Sequence, residues 1–172
     1  MKATPLLVFS LVTAISACSS TQSAGPRADA GLQARSGSNV AGSVSFTQVG
    51  DKLLVEASIS GLTPGEHGFH VHESGDCSAA DASSAKGHFN PGAKAHGHHG
   101  GNERHAGDLP NLVAGADGRA SYRAEVGGLS LSDATTGVIG RSVVVHADPD
   151  DYKSQPAGNS GKRVACGTIA RR

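Results

Sequence analysis

Residues 69–72 contain two histidines whose spacing suits metal chemistry. Side chains of a β-strand alternate between its two faces. A strand here would therefore present His70 and His72 on one face and Phe69 and Val71 on the other. Histidine is the commonest metal ligand, and imidazole binds copper and zinc well. Two histidines at this spacing are a weak signal by themselves, so the prediction of a metal site depends on ligands elsewhere in the chain.

Further candidate ligands follow in the sequence. The chain has 172 residues and nine histidines, most of them between His67 and His105. Residues 74–110 show no strand or helix periodicity, and a connection of this length is typical of a functional or internally tied loop. The candidate ligands in this loop and on a later predicted strand are His88, His96, His98, His99, His105, Asp108 and His146. His70 and His72 together with His88, His96, His105, Asp108 and His146 exceed what one four-coordinate ion requires and are about enough for two.

The remaining pattern predicts an all-β protein. Glycine accounts for 24 of 172 residues, about twice the usual share of ~7%. Short alternating segments occur throughout, for example Leu53, Val55, Ala57 and Ile59. Residues 74–110 and 148–162 separate them as two long polar loops. We expect a Greek-key β-sandwich or barrel of about eight antiparallel strands with two long functional loops. The formal net charge of zero gives no bulk electrostatic reason to expect a nucleic-acid partner.

The N-terminal sequence has the pattern of an export signal. Met1-Lys2 precedes a short, mostly apolar segment, residues 6–17, which is too short to span a bilayer. Residues 15–18, Ile-Ser-Ala-Cys, resemble the lipobox of bacterial lipoproteins, in which the cysteine becomes acylated. We predict a lipoprotein signal peptide over residues 1–17, a flexible tether over 18–38 and a single domain over 39–172. Cys18 would anchor the chain in the bacterial cell envelope, facing the periplasm, and Ser19 favours the outer membrane. The alternative is ordinary cleavage nearby, which would leave a free thiol.

The cysteines are consistent with export. There are three, Cys18, Cys77 and Cys166, and an odd number in an exported protein requires an explanation. Acylation of Cys18 would leave Cys77 and Cys166 as a pair in an oxidising compartment. A disulfide between them would close a loop of about 90 residues and contribute roughly 4–5 kcal/mol in the chain-entropy model. The alternative is two reduced thiols.

Five motifs carry a family resemblance. They are GEHGFHVHE at 65–73, GHFNP at 87–91, ERHAGD at 103–108, GRSVVVH at 140–146 and GNSGKRVACG at 158–167. In these motifs the chain resembles copper/zinc superoxide dismutase in its bacterial exported form, over about residues 39–170. The resemblance implies one copper and one zinc ion per subunit.

The resemblance assigns ligands residue by residue. Four histidines match copper ligands: His70, His72, His88 and His146. Four residues match zinc ligands: His88, His96, His105 and Asp108. His88 would thus bridge the two ions, as an imidazolate that two adjacent dications can stabilise. His98 and His99 match no family ligand. They would lie in a solvated loop or capture metal, and either could also replace His96.

Other residues match the surroundings of the two metals. Asp150 matches a carboxylate that links ligands of both ions, and such a carboxylate fixes the tautomer and direction of its histidines. Arg163 matches the arginine that meets the anionic substrate, superoxide, and His88 matches a residue that donates a proton. Lys153 and Lys162 are candidates for attracting superoxide, or ordinary solvated lysines. The resemblance also implies a Cys77–Cys166 disulfide.

The implied activity is dismutation of superoxide to dioxygen and hydrogen peroxide, protecting the cell envelope. The alternative is an inactive superoxide-dismutase-like domain that acts as a metal buffer or copper chaperone. The resemblance is compatible with a monomer or a homodimer. His67, on the Phe69 side of the strand, is expected to be a hydrogen-bonded structural residue.

Overall fold

The computed structural model describes residues 25–172 and contains ten β-strands and one short 3-10 turn, Ser83–Ala85. The strands are β1 (Arg27–Ala34), β2 (Ala41–Val49), β3 (Lys52–Ser60), β4 (Gly65–His67), β5 (Phe69–His72), β6 (Leu112–Ala114), β7 (Ala120–Gly127), β8 (Ser142–His146), β9 (Arg163–Thr168) and β10 (Ala170–Arg171). Among these residues, no helix is long and apolar enough to cross a membrane.

Antiparallel pairing joins eight of the strands in one curled sheet. The order is β5-β8-β9-β1-β2-β3-β7, and β10 pairs with β1. Strand β1 pairs with β2 through residues 27–32 and with β9 through residues 33–34, so it passes from one part of the sheet to the other. β4 and β6 form a separate two-stranded sheet. The prediction of a Greek-key all-β fold of about eight antiparallel strands is confirmed.

The apolar core lies on the concave side of this sheet. On β3 the alternation predicts the buried face correctly, since Leu53, Val55, Ala57 and Ile59 are all buried. Phe69 and Val71 of β5 are fully buried in the same core. Burying such a side chain contributes about 1.5–3 kcal/mol. The strand that carries the two histidines is therefore held rigidly from its apolar face.

The predicted tether over residues 18–38 is wrong for residues 27–34, which form β1. Ala28, Ala30 and Leu32 of this strand are buried in the core, and its backbone pairs with β2, β9 and β10. The domain thus begins before residue 39. Residues 27–34 do alternate between buried and exposed positions, but several of them are alanine or glycine. These residue types are poor strand formers, so the sequence pattern does not indicate a strand clearly. The predicted signal peptide, the start of the tether and Cys18 lie outside the described residues.

Backbone hydrogen bonds hold the first long loop, residues 73–111, against the free edge of β5. Val71 N–H donates to the Gly107 carbonyl at 3.0 Å, and Phe89 N–H donates to the Val71 carbonyl at 2.8 Å. A disulfide between Cys77 and Cys166, with Cα atoms 5.8 Å apart, ties the start of the loop to β9. This confirms the predicted pairing. The loop is irregular but attached to the sheet at several points.

Candidate metal centre

Two groups of potential metal ligands lie side by side at the end of β5. We call the first the four-histidine cluster: His70, His72, His88 and His146. We call the second the mixed cluster: His88, His96, His105 and Asp108. In each cluster one ligand atom per residue can be chosen so that all four atoms lie within 4.8 Å of one another. All seven residues are buried, and His88 belongs to both clusters.

The sheet positions three members of the four-histidine cluster. His70 and His72 project from the same face of β5, opposite Phe69 and Val71, as the alternation predicts. β8 is the antiparallel neighbour of β5, and His146 ends β8 at an irregularity in its pairing with β9. His88 comes from the loop and forms an isolated β-bridge with His72. The ring centroids of His70 and His88 lie 3.9 Å apart.

The ring nitrogens of the four-histidine cluster divide into two groups. Four buried nitrogens have no hydrogen-bond partner: His70 Nδ1, His72 Nε2, His88 Nε2 and His146 Nε2. The opposite nitrogens contact acceptors: His70 Nε2 lies 2.9 Å from Asp150 Oδ2 and His72 Nδ1 lies 2.9 Å from the Lys86 carbonyl. His146 Nδ1 lies 3.3 Å from the Gly161 carbonyl. In His70, His72 and His146 the ring proton lies on the nitrogen that contacts the acceptor. The other ring nitrogen then directs an unprotonated lone pair at the cluster. Unpaired buried polar atoms are costly, and a bound transition metal would satisfy them. The donor set therefore fits copper.

The mixed cluster converges on the Asp108 carboxylate. His88 Nδ1 lies 2.8 Å and His105 Nδ1 3.3 Å from Asp108 Oδ1, and His96 Nδ1 lies 3.1 Å from Oδ2. Three imidazole nitrogens and one carboxylate are the ligand types of a closed tetrahedral zinc site. His88 directs Nδ1 at this cluster and Nε2 at the other. It is the residue through which two bound ions would be linked.

Asp150 connects the two clusters. Its Oδ2 accepts from His70 and its Oδ1 accepts from His96 Nε2, both at 2.9 Å. Tyr152 N–H also donates to Oδ1, at 2.7 Å. Gly158, with φ of +64°, packs so closely that a Cβ there would overlap Asp150 Oδ1. The second long loop therefore brings this carboxylate between one histidine of each cluster.

Burial sets the protonation of the four-histidine cluster. It lowers the pKa of all four residues, and that of His88 to about 4, so they are neutral ligands at pH 7. Burial alone would also lower the pKa of His96, but the carboxylates of Asp108 and Asp150 outweigh it and raise that pKa to about 9. Burial alone would raise the pKa of both carboxyls, but hydrogen bonds from their histidines hold each well below its usual range. A zinc ion bound in the mixed cluster would therefore displace a proton from His96.

Arg163 borders the four-histidine cluster. Its guanidinium Nη1 donates to the Ala82 carbonyl at 2.7 Å, from the first residue of β9 to the first long loop. Its positive charge contributes to the lowered pKa of His72 and His146, after burial and the neighbouring histidines. The side chain is half-buried, so it can meet an anion from solvent. Lys153 and Lys162 are both exposed in the second loop.

The other histidines lie outside both clusters. His67 is buried, and its ring nitrogens contact the His146 carbonyl at 2.9 Å and the Thr63 carbonyl at 2.8 Å, as expected of a structural residue. His96, rather than His98 or His99, joins the mixed cluster. His98 and His99 pack against each other with centroids 4.0 Å apart.

Two amide side chains that the sequence did not single out hold the centre in place. Asn111 Oδ1 accepts from Asp150 N–H, and Asn111 Nδ2 donates to the Asp150 carbonyl, both at 3.0 Å. Gln155 contacts His96 in the same way, with its Oε1 and Nε2 both 2.9 Å from the His96 backbone. Asparagine and glutamine are common in loops, and no spacing in the sequence distinguishes these two residues.

Comparison with known proteins agrees with this geometry. A sequence profile described as copper/zinc superoxide dismutase (SODC) matches residues 40–169. The crystal structure of the clock protein EA4 is similar, with 43% sequence identity and a TM-score of 0.77 over 84% of this chain and 93% of the other. The matched range includes both clusters, Asp150, Arg163 and the disulfide. The chain belongs to the copper/zinc superoxide dismutase family.

Proposed function

We propose that this protein binds copper in the four-histidine cluster and zinc in the mixed cluster, and converts two superoxide anions and two protons to dioxygen and hydrogen peroxide. The observation that carries the proposal is the set of four buried, unpartnered ring nitrogens that face one point beside Arg163. Only a ligand that accepts lone pairs can satisfy all four. Membership of the family supports the same assignment.

Copper would supply one-electron redox chemistry in this site, whereas zinc has none of its own. The residues of the chain supply the surroundings. Arg163 attracts the superoxide anion and orients it with a planar, permanently charged group. His88 Nε2 is the atom that takes up and releases a proton, because Nδ1 is directed at Asp108. Asp150 keeps His70 and His96 in the tautomers that bind metal.

The test is a superoxide-consumption assay on protein whose copper and zinc contents are measured in the same sample. We expect rapid, catalytic consumption with both metals bound. A zinc-only sample is the matched control and should be inactive, because zinc does not change oxidation state. A sample that holds both metals and does not consume superoxide would refute the proposal.

The alternative is an inactive metal buffer or copper chaperone. One solved relative is described as a clock protein, so a similar fold carries at least one description other than dismutase. The complete four-histidine cluster and the adjacent, half-buried Arg163 favour the enzyme, because a metal buffer does not need an arginine beside its copper ligands. The same metal-replete assay separates the two, since a chaperone would bind copper without turnover.

We also propose that the protein is a bacterial lipoprotein of the cell envelope, anchored through Cys18 and facing the periplasm. The support is the lipobox-like sequence at 15–18 and the disulfide, which is typical of exported proteins. More than one acyl chain is needed for stable anchoring. Cys18→Ala should therefore move the protein from the membrane fraction to the soluble fraction of a bacterial host, and continued membrane association would contradict the proposal.

A further inference from the structure

His98 and His99 form a cluster of metal-ligating side chains outside the centre described above. Their ring centroids lie 4.0 Å apart, with an angle of 35° between the planes. Both rings also contact the ring of Tyr152, at centroid distances of 4.8 Å and 5.8 Å. The aromatic contacts hold both imidazoles on one side of the second loop. Two imidazoles are thus already held together at the surface.

His99 has an unused ligand atom. Its Nδ1 is buried and has no hydrogen-bond partner, although the residue as a whole is only half-buried. His99 also lines a cavity of about 220 Å³, whose other walls include Arg104, Pro110 and Glu125. An unpaired nitrogen of this kind is costly unless water or an ion satisfies it. The cavity offers room beside the ring for such a ligand.

We propose that His98 and His99 form an auxiliary site for a late first-row divalent ion, Zn²⁺ or Cu²⁺, distinct from the two inner sites. His99 binds through Nδ1 and His98 provides the second nitrogen. Zinc–nitrogen bonds of ~2.0–2.1 Å in tetrahedral geometry separate two donor atoms by roughly 3.3 Å. The two ring centroids are 4.0 Å apart, so a change of side-chain torsion angles can bring one nitrogen of each ring to this separation. Water completes the coordination, since His98 is exposed.

The local backbone can adjust to the ion. Gly100 N–H donates to His98 Nδ1 at 3.1 Å. Metal binding through Nδ1 replaces this hydrogen bond, and metal binding through Nε2 moves the ring proton to Nδ1 and also breaks it. Gly97, Gly100 and Gly101 surround the pair, and glycine accommodates backbone changes more easily than any other residue. His96 of the mixed cluster precedes His98 by two residues. The auxiliary ion would therefore lie in the same loop as the inner zinc ligands.

The test is calorimetric titration of the metal-free full-length protein with Zn²⁺ alone. We expect the double variant His98→Gln/His99→Gln to bind one equivalent fewer than the natural protein. The control is Asn102→Gln, an exposed substitution in the same loop, which should leave the stoichiometry unchanged. An equal number of equivalents in the double variant and the natural protein would overturn the proposal. Because this count does not involve superoxide, it is independent of whether the protein is a dismutase.

A second measurement covers the case in which the double variant disturbs the loop. In the natural protein, ¹⁵N spectra of the histidine rings follow Zn²⁺ added after the inner sites are full. We expect a large shift of His99 Nδ1 and of one nitrogen of His98. Absence of a shift at either ring would also overturn the proposal.

Discussion

The geometry around Asp150 allows an unequal effect on the two metals to be predicted. Replacing Asp150 by asparagine keeps the size of the side chain but turns one acceptor oxygen into an NH₂ donor. Tyr152 N–H and His96 Nε2–H both point at Oδ1, whereas only His70 Nε2–H points at Oδ2. The amide oxygen should therefore occupy the Oδ1 position, where it still accepts two hydrogen bonds. The NH₂ group then faces the N–H of His70.

The expected loss of metal affinity follows from the loss of the hydrogen bond between His70 Nε2 and Asp150 Oδ2. A hydrogen bond to a charged group contributes about 1.5–3 kcal/mol, which corresponds to roughly 10–100-fold in affinity. We expect Asp150→Asn to weaken binding in the four-histidine cluster by about this factor, because His70 belongs to it. Binding in the mixed cluster should weaken less, because His96 keeps its acceptor. Asp150→Ala removes both acceptors and should weaken both sites.

The assay is competition of each metal with a chelator of known affinity, for copper and zinc separately. The matched control is Asp51→Asn, the same chemical change at an exposed residue in the turn between β2 and β3, which should alter neither affinity. Equal losses at both sites in Asp150→Asn, or a greater loss of zinc than of copper, would refute the reasoning about which oxygen remains.

Three other perturbations have defined outcomes. Cys77→Ser/Cys166→Ser should lower the free energy of unfolding by roughly 4–5 kcal/mol, measured by denaturant titration; an unchanged midpoint would contradict this. Arg163→Ala should slow superoxide consumption and flatten its dependence on ionic strength, because a local positive charge is lost. The metal-free protein should lose stability as the pH falls from about 7.5 to about 5.5. Over this range the unfolded chain protonates the members of the four-histidine cluster more readily than the native protein does, because burial lowers their pKa in the native state. His96, whose pKa is raised to about 9, has the opposite dependence and offsets part of this loss. Stability that rises with acidification would show that these histidines are not neutral in the native state.

The sequence predicted the parts of the fold and centre that depend on local pattern. On β5, alternation separates His70 and His72 from Phe69 and Val71, and the structure has the same division. On β1 the same period was present but was carried by alanine. Its assignment depends on pairing with β2 and β9, strands that are distant in sequence, and local propensity could not supply this information.

The sequence also could not reveal the side chains that hold Asp150 and His96 in position in the candidate metal centre. The candidate metal ligands can be recognised from the sequence, because histidine clusters are uncommon. Asn111 and Gln155 act through ordinary amide hydrogen bonds to the backbone of Asp150 and His96, and amides in loops usually bond to solvent or to nearby turns. Their role becomes visible only when the two long loops are brought together. Such contacts depend on tertiary structure and leave no periodic signal in the chain.

Two kinds of interaction hold this molecule together, and they meet at β5. The sheet is stabilised by apolar side chains such as Phe69, which need no metal. The first long loop contributes few apolar residues to the core and is held by backbone hydrogen bonds, the disulfide and the ligand clusters. Four desolvated lone pairs at the junction oppose folding until an ion satisfies them. Part of the free energy of metal binding would therefore be used to order the loop, whereas the strand that presents His70 and His72 is held by the apolar core.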